Sequence, residues 1–189
     1  MKIGILALQG DFHEHQVCFN KLRVKTQLVR SVADLNLCDS LVIPGGESTT
    51  ISKLLNISNL DSEIITKSKN GMPLWGTCAG LILISNKIVE GDPDPLKLMD
   101  IKTSRNFYGR QVDSFVEKID LFNDEDEFEA IFIRAPKIME IGKNVDILAI
   151  TNDNSPVAIQ SKNILGTTFH PELTDDLRIH KHFIRMGSN

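Results

Sequence analysis

Aromatic side chains are scarce in this chain of 189 residues: nine Phe, one Tyr and one Trp. With 41% hydrophobic residues, Ile, Leu and Val must fill the core instead, and that fraction still excludes an intrinsically disordered chain. Cysteine is scarcer. Cys18, Cys38 and Cys78 form no CxxC pair and cannot all pair within one chain, which argues against a disulfide framework or a zinc cage and fits a reducing compartment. Positive charge is not in excess: 21 Lys and Arg face 25 Asp and Glu, for a net charge of −4 and a pI of about 5.7. An electrostatic grip on nucleic acid or on an anionic membrane is thereby excluded as an expectation. No apolar stretch approaches the roughly 20 residues needed to cross a bilayer. The run Ile3–Leu8 is too short for a signal-peptide core and passes into Gln9-Gly10-Asp11 without a cleavage site. The GxGxxG fingerprint, a P-loop lysine and any fixed-period repeat are also lacking, so a nucleotide cradle is a weak reading. A single domain spanning 1–189 in the cytoplasm is expected.

What is present is an alternation. Apolar runs at Ile3–Leu8, Ser40–Ile43 and Pro73–Trp75 each end in turn residues, which suits buried parallel strands. Between them, Phe12, His15, Phe19 and Leu22 follow a candidate Asp11 cap with helical spacing, and Ile51, Leu54 and Leu55 follow Ser48. Strand alternates with helix to about residue 86. This predicts a three-layer, doubly wound α/β fold of flavodoxin-like type, whose ligand crevice opens at the carboxyl ends of the strands. Beyond the turn cluster Gly91–Pro95, strand-like runs at 98–103, 114–121, 130–134, 145–151, 156–160 and 164–169 follow, several of them read as antiparallel additions. Asn123–Glu129 is read as an acidic loop, and Thr174–Met186 as a closing amphipathic helix.

Chemistry concentrates at three places. Strand, then Gly76-Thr77-Cys78-Ala79-Gly80, then an apolar helical run has the layout of a nucleophile elbow with Cys in place of Ser. A thiol projecting from a helix N-terminus meets unpaired amides that favour thiolate. Cys18 and Cys38 lack flanking glycines and are read as structural. A thiol that acylates and deacylates needs a base whose tautomer a third group fixes. His170-Pro171-Glu172 offers both, because Pro171 favours extended geometry at His170 and residues two apart on an extended segment share a side. The pairs His13/His15 and His180/His182 are two apart on helices, hence on different faces, and are not read as metal sites. Pro44-Gly45-Gly46-Glu47-Ser48 opens at the same sheet edge; Gly46 N–H and Ala79 N–H are the candidate oxyanion donors. Arg105 and Arg134 end strand-like runs, where a guanidinium could hold a carboxylate, although a solvated strand end is the commoner role.

PGGEST, GTCAG and HPE in this order resemble the class I, triad-type glutamine amidotransferases. Within them the chain is similar to the PdxT/SNO family of glutaminase subunits of pyridoxal 5′-phosphate synthase. The likeness runs through LQGDFHEH, LVIPGGESTTISKLL, PLWGTCAGLILIS, RNFYGRQVDSF, FIRAP and LGTTFHPELT. Ala79-Gly80-Leu81 after the Cys, with no Gln, separates it from most other class I glutaminase domains. The resemblance implies hydrolysis of L-glutamine to glutamate and ammonia through a thioester, with Cys78 as nucleophile, His170 as base and Glu172 as its partner. It implies that Gly46, Glu47 and Ser48 contact substrate, that Arg105 binds it, and that Ile133 and Arg134 complete the pocket, without cofactor or metal. It further implies a (β/α)8-barrel synthase subunit as partner, in an assembly of twelve plus twelve whose docking reorganises the oxyanion loop. Phe107-Tyr108 departs from the small or polar residue followed by Phe in many relatives. The rival readings are a glutaminase serving another synthase and a non-hydrolytic redox or binding module; the latter has no need of His170-Pro171-Glu172. The Leu8-Gln9-Gly10-Asp11-Phe12 segment after the first strand is placed at the active-site edge and is the candidate for part of the docking surface, to be tested by charge reversal at Asp11 or Glu14.

Overall fold

The computed structural model describes residues 1–105, 114–122, 124 and 126–187; Phe107-Tyr108 and most of RNFYGRQVDSF lie outside them. The first half runs β1 (Lys2–Leu6), α1 (Phe12–Lys21), β2 (Lys25–Val29), α2 (Val32–Leu35), β3 (Ser40–Ile43), α3 (Ser48–Ile57), α4 (Leu60–Lys69), β4 (Leu74–Thr77) and α5 (Ala79–Ile84). The second adds β5 (Ser85–Ile88), β6 (Met99–Ser104), β7 (Ser114–Ile119), β8 (Phe128–Ile133), β9 (Lys137–Ile141), β10 (Asp146–Ile150), β11 (Pro156–Ser161), β12 (Ile164–Thr167), a 3-10 turn at Pro171–Leu173 and α6 (Arg178–Met186).

Seven strands form the central sheet in the order β10-β11-β12-β4-β3-β1-β2. Five of them, β12, β4, β3, β1 and β2, are parallel, and β11 and β10 continue the sheet antiparallel. Period-two alternation divides the core between the two faces. Leu41, Ile43 and Leu74 pack with Ile51, Leu55 and Leu81 on one side, whereas Val42 and Trp75 pack with Phe19, Phe169 and Phe183 on the other. Register then places the chemistry. Ile43 pairs with Gly76, Gly76 with Gly166 and Thr77 with Thr167, so the loops leaving β3, β4 and β12 emerge side by side at one sheet edge.

Several boundaries differ from the sequence reading. Strands β2, β5 and β9 were not anticipated. In β2, Lys25 is exposed, Thr26 to Leu28 are half-buried and only Val29 is buried, while β9 buries Ile138 alone, so neither carries a run of core residues. The later strands divide: β10 and β11 extend the central sheet antiparallel, β7 and β8 form a separate antiparallel ribbon, and β5-β6-β9 form a small sheet in which β5 and β6 run parallel. The closing helix starts at Arg178 rather than Thr174. Asp176 Oδ1 accepts the Arg178 N–H at 3.0 Å, after the chain has spent Pro171–Leu173 on the 3-10 turn.

Candidate active site

Cys78 sits between β4 and α5 at φ 47° and ψ −103°, a conformation an L-residue adopts only under constraint. The constraint is the elbow itself. Cys78 N–H donates to Thr167 O at 2.8 Å, and Cys78 O accepts from Ile82 N–H at 3.2 Å, which ties the residue to β12 and to the first turn of α5. The crossing is close enough to require glycine: a Cβ at Gly80 would lie 2.0 Å from Ile43 O, and one at Gly76 would lie 2.6 Å from the Gly80 carbonyl carbon. Sγ lies 3.8 Å from Ile133 O.

His170, just beyond the end of β12, lines the same pocket as Cys78. Its N–H donates to Ile131 O at 2.8 Å, which fixes the backbone to β8, and its Nδ1 lies 2.8 Å from Glu172 Oε1. The sequence argument for that contact needs correcting. His170 alone is extended, at φ −107° and ψ 82°, and Pro171–Leu173 turns at once into the 3-10 helix, which folds the Glu172 carboxylate back onto the ring. Burial opposes charge on His170, but hydrogen bonds to Cys78 and Glu172 outweigh it and lift the imidazole to about 10. Burial likewise raises Glu172, opposed by the hydrogen bond from His170.

Asp11 occupies the N-cap position of α1 without making a side-chain cap bond. Its carboxylate turns inward instead, 3.5 Å from His170 Nδ1, and its pKa is raised by burial against the pull of His170. The segment read as a docking edge therefore lines the site at Asp11. Asp11, His170 and Glu172 are the group among the described residues whose ligand atoms lie within 4.8 Å of one another. Two of them already satisfy each other at 2.8 Å, so we read an imidazole–carboxylate pair with a neighbouring acid, and assign no metal.

A pocket of about 420 Å³ lies in front of the sulfur. Gly46, Glu47, Ser48, Cys78, Ala79, Arg105, Ile133, Arg134 and His170 all line it, and Glu172 stands behind His170. The volume falls in the range of small-molecule sites. Glu47 caps α3: its carboxylate accepts from Thr49 N–H at 3.2 Å and Thr50 N–H at 2.7 Å and meets Arg105 Nη2 at 3.1 Å. Its pKa falls because the bonds from Thr50 and Thr49 outweigh burial. Arg105 also donates to Asp92 O at 2.7 Å, so its guanidinium is held at the rim by both contacts. Arg134, at φ 42°, is exposed.

Sequence reasoning placed Gln9 and Gly10 at the active-site edge only as part of a docking surface, and overlooked Ile82 and Leu173 in the lining. Gln9 Oε1 accepts Glu47 N–H at 2.7 Å and Asp11 N–H donates to Gly45 O at 3.0 Å, which ties the Gly45-Gly46 loop to the segment after β1. Among the other cysteines, Cys18 is buried with Sγ 3.6 Å from Glu172 O, and Cys38 meets Asp34 O at 3.3 Å; burial pushes both thiols up to about 11. His15 and His180 are both fully buried and meet each other at 3.2 Å, whereas His13 is exposed and His182 bonds Gln160 Oε1 at 2.6 Å.

Residues 5–189 match the model of the SNO glutamine amidotransferase family. The chain is 50% identical over 186 residues to the pyridoxal 5′-phosphate synthase subunit PdxT of Thermosipho africanus, covering 98% of each chain. It is 50% identical over 191 residues to the same subunit of Dictyoglomus turgidum, covering all of both chains. A solved structure described as a glutamine amidotransferase superposes with a TM-score of 0.93 at 36% identity, covering 99% of each chain. The structure of PurLQS from Thermotoga maritima shares the fold alone, with a TM-score of 0.69 at 11% identity, covering 100% of this chain and 97% of that one. No helix among the described residues is long and apolar enough to cross a membrane.

Proposed function

Since the chain belongs to the SNO glutamine amidotransferase family, it is a glutamine-hydrolysing subunit whose ammonia serves pyridoxal 5′-phosphate synthesis, and we propose that Cys78, His170 and Glu172 carry the hydrolysis. The observation that carries this reading is the His170 imidazole, which lines the same pocket as Cys78 and is hydrogen-bonded through Nδ1 to Glu172 at 2.8 Å.

With its pKa lifted to about 10, His170 already holds the proton as an imidazolium when sulfur attacks the side-chain carboxamide carbon of L-glutamine. The oxyanion that develops faces the Gly46 and Ala79 N–H groups, the second of which also has the dipole of α5 behind it. The imidazolium then protonates departing ammonia and leaves a glutamyl thioester. The same imidazole activates the water that releases glutamate. Glu172 keeps the Nδ1 proton in place, so that Nε2 remains free for this work. Arg105 supplies positive charge for the substrate carboxylate. Glu47, Ser48, Ile133 and Arg134 shape the remainder of the pocket, and no step calls for a metal or cofactor.

The ammonia acceptor in this reading is a (β/α)8-barrel synthase subunit, assembled as twelve barrels with twelve glutaminases in the cytoplasm, each glutaminase a single domain of residues 1–189. The test is glutamate release measured with and without that subunit, on the native chain and on Cys78→Ala. The native chain should turn over and the variant should not, while both still bind the partner; near-native turnover by Cys78→Ala would remove the sulfur from its role.

A further inference from the structure

Behind Glu172, on the side away from the pocket, lies a line of buried side chains that the hydrolysis itself does not use. Oε1 of Glu172 meets His170, but Oε2 is buried with no hydrogen-bond partner among the described residues, and His15 Nε2 lies 3.4 Å from it. The same Nε2 lies 3.3 Å from Thr77 Oγ1, and on the far side of the ring Nδ1 lies 3.2 Å from His180 Nε2. Trp75 closes edge-on against both imidazoles, with centroids 5.1 Å from His15 and 4.9 Å from His180, and the fully buried Phe19 and Phe183 pack beside them.

We propose that His15 is a positioning residue for the triad: its Nε2–H, set by His180, serves Oε2 of Glu172 and keeps that carboxylate aimed at His170 Nδ1. The inference rests on the triad reading above. Hydrogen-bond bookkeeping selects the tautomers. If His15 carried its proton on Nδ1, a bare Nε2 lone pair would face a buried carboxylate. His180 would then have to accept at Nε2 and place an N–H on Nδ1, which has no partner among the described residues. A buried donor without an acceptor costs about 1–3 kcal/mol. With both protons on Nε2, every N–H in the line has an acceptor, and the one group left over is the Nδ1 lone pair of His180. Both rings are also held neutral, His180 at about 3 by burial and His15 well below the usual histidine value by burial and by its neighbours His180 and His170. His15 therefore presents a donor to Glu172 without bringing a competing charge.

Two measurements on the full chain test this. Kinetics with the synthase present compare His15→Leu with His15→Gln, whose amide nitrogen reaches the place of imidazole Nε2. The leucine variant should lose about tenfold to a hundredfold in kcat with KM little changed, the scale on which outer-shell partners act, and the glutamine variant should regain most of it. A folded leucine variant with native kcat, or a glutamine variant as poor as the leucine one, would overturn the proposal. Should His15→Leu fail to fold, His180→Phe removes the group that sets the tautomer while keeping a ring among the aromatics, and native kcat in that variant would equally overturn it. Independently of any turnover, long-range proton–nitrogen correlation spectra of the native chain should show His15 and His180 as neutral Nε2–H tautomers. A proton on Nδ1 of His15 would refute the inference even if Cys78 and His170 perform as described, whereas an active Cys78→Ala would refute the triad reading and leave the tautomers as they are.

Discussion

His170 and His180 stand on opposite sides of the Glu172 carboxylate, both buried, and are displaced in opposite directions: one is lifted to about 10, the other lowered to about 3. Burial works against the charged form of both. The difference lies in what each ring faces. His170 looks onto a polar pocket with Cys78, Glu172 and Asp11 around it, whereas His180 looks onto Trp75, Phe19 and the neutral ring of His15. The carboxylate is thus a dividing plane. In front of it protons move; behind it they stay where packing put them.

The strongest way to break this division is to remove its reacting atom. Cys78→Ala should lower glutamate release by more than about a thousandfold, since members of a catalytic unit fail together, while the unfolding midpoint changes little. Removing the plane itself comes next: Glu172→Gln should cost about a hundredfold to ten-thousandfold in kcat by releasing the tautomer of His170, as read in steady-state kinetics. At the pocket rim the effect is smaller and falls elsewhere. Arg105→Ala should raise KM about tenfold and leave kcat near native, corresponding to roughly 1.4 kcal/mol of substrate binding; an unchanged KM would return Arg105 to a purely structural link between Glu47 and Asp92.

Stability against pH sharpens the contrast most gently. His180 has a folded pKa below its unfolded one, so the unfolded chain binds the extra proton, and stability should fall as pH drops from about 6.5 towards 3, by at most about 1.4 kcal/mol per pH unit from this ring. His170 has the opposite sign. Its contribution is complete below about 6.5 and is lost as pH rises towards 10. Chemical denaturation across this range should show His180→Phe flattening the acid side and Glu172→Gln the alkaline side. Equal changes on both sides in either variant would erase the distinction between front and back.

The front of the site was legible because its signals are local. Gly76 to Gly80 encode a crossing that tolerates no side chain, and His170 and Glu172 are neighbours in the chain, so no knowledge of the fold was needed to join them. The inner parallel strands β1, β3 and β4 were legible too, since Ser40–Ile43 is buried throughout and has no polar alternation to obscure it; β2, half-buried along most of its length, was not. The back was not. His15 and His180 are 165 residues apart, and helical spacing marked each only as a residue on its own helix. One signal was available: His15 shares a helix face with Cys18 and Phe19, both buried, which places an imidazole in the core and raises the question of what it bonds. Asp11 misled for a related reason. Its position before α1 reads as a cap, and only the loop after β12, brought alongside by the parallel register, shows the carboxylate a better partner.

The central claim is that one sulfur, and not the other two, is activated by the imidazole–carboxylate pair. Intact-mass and peptide analysis after exposure to a chloroketone analogue of glutamine tests it most directly, because alkylation reports the nucleophile whether or not turnover completes. A single adduct on Cys78, slowed strongly in His170→Ala and protected by glutamine, is the predicted result. Equal labelling of Cys18 or Cys38, or labelling of Cys78 that is indifferent to His170, would contradict it.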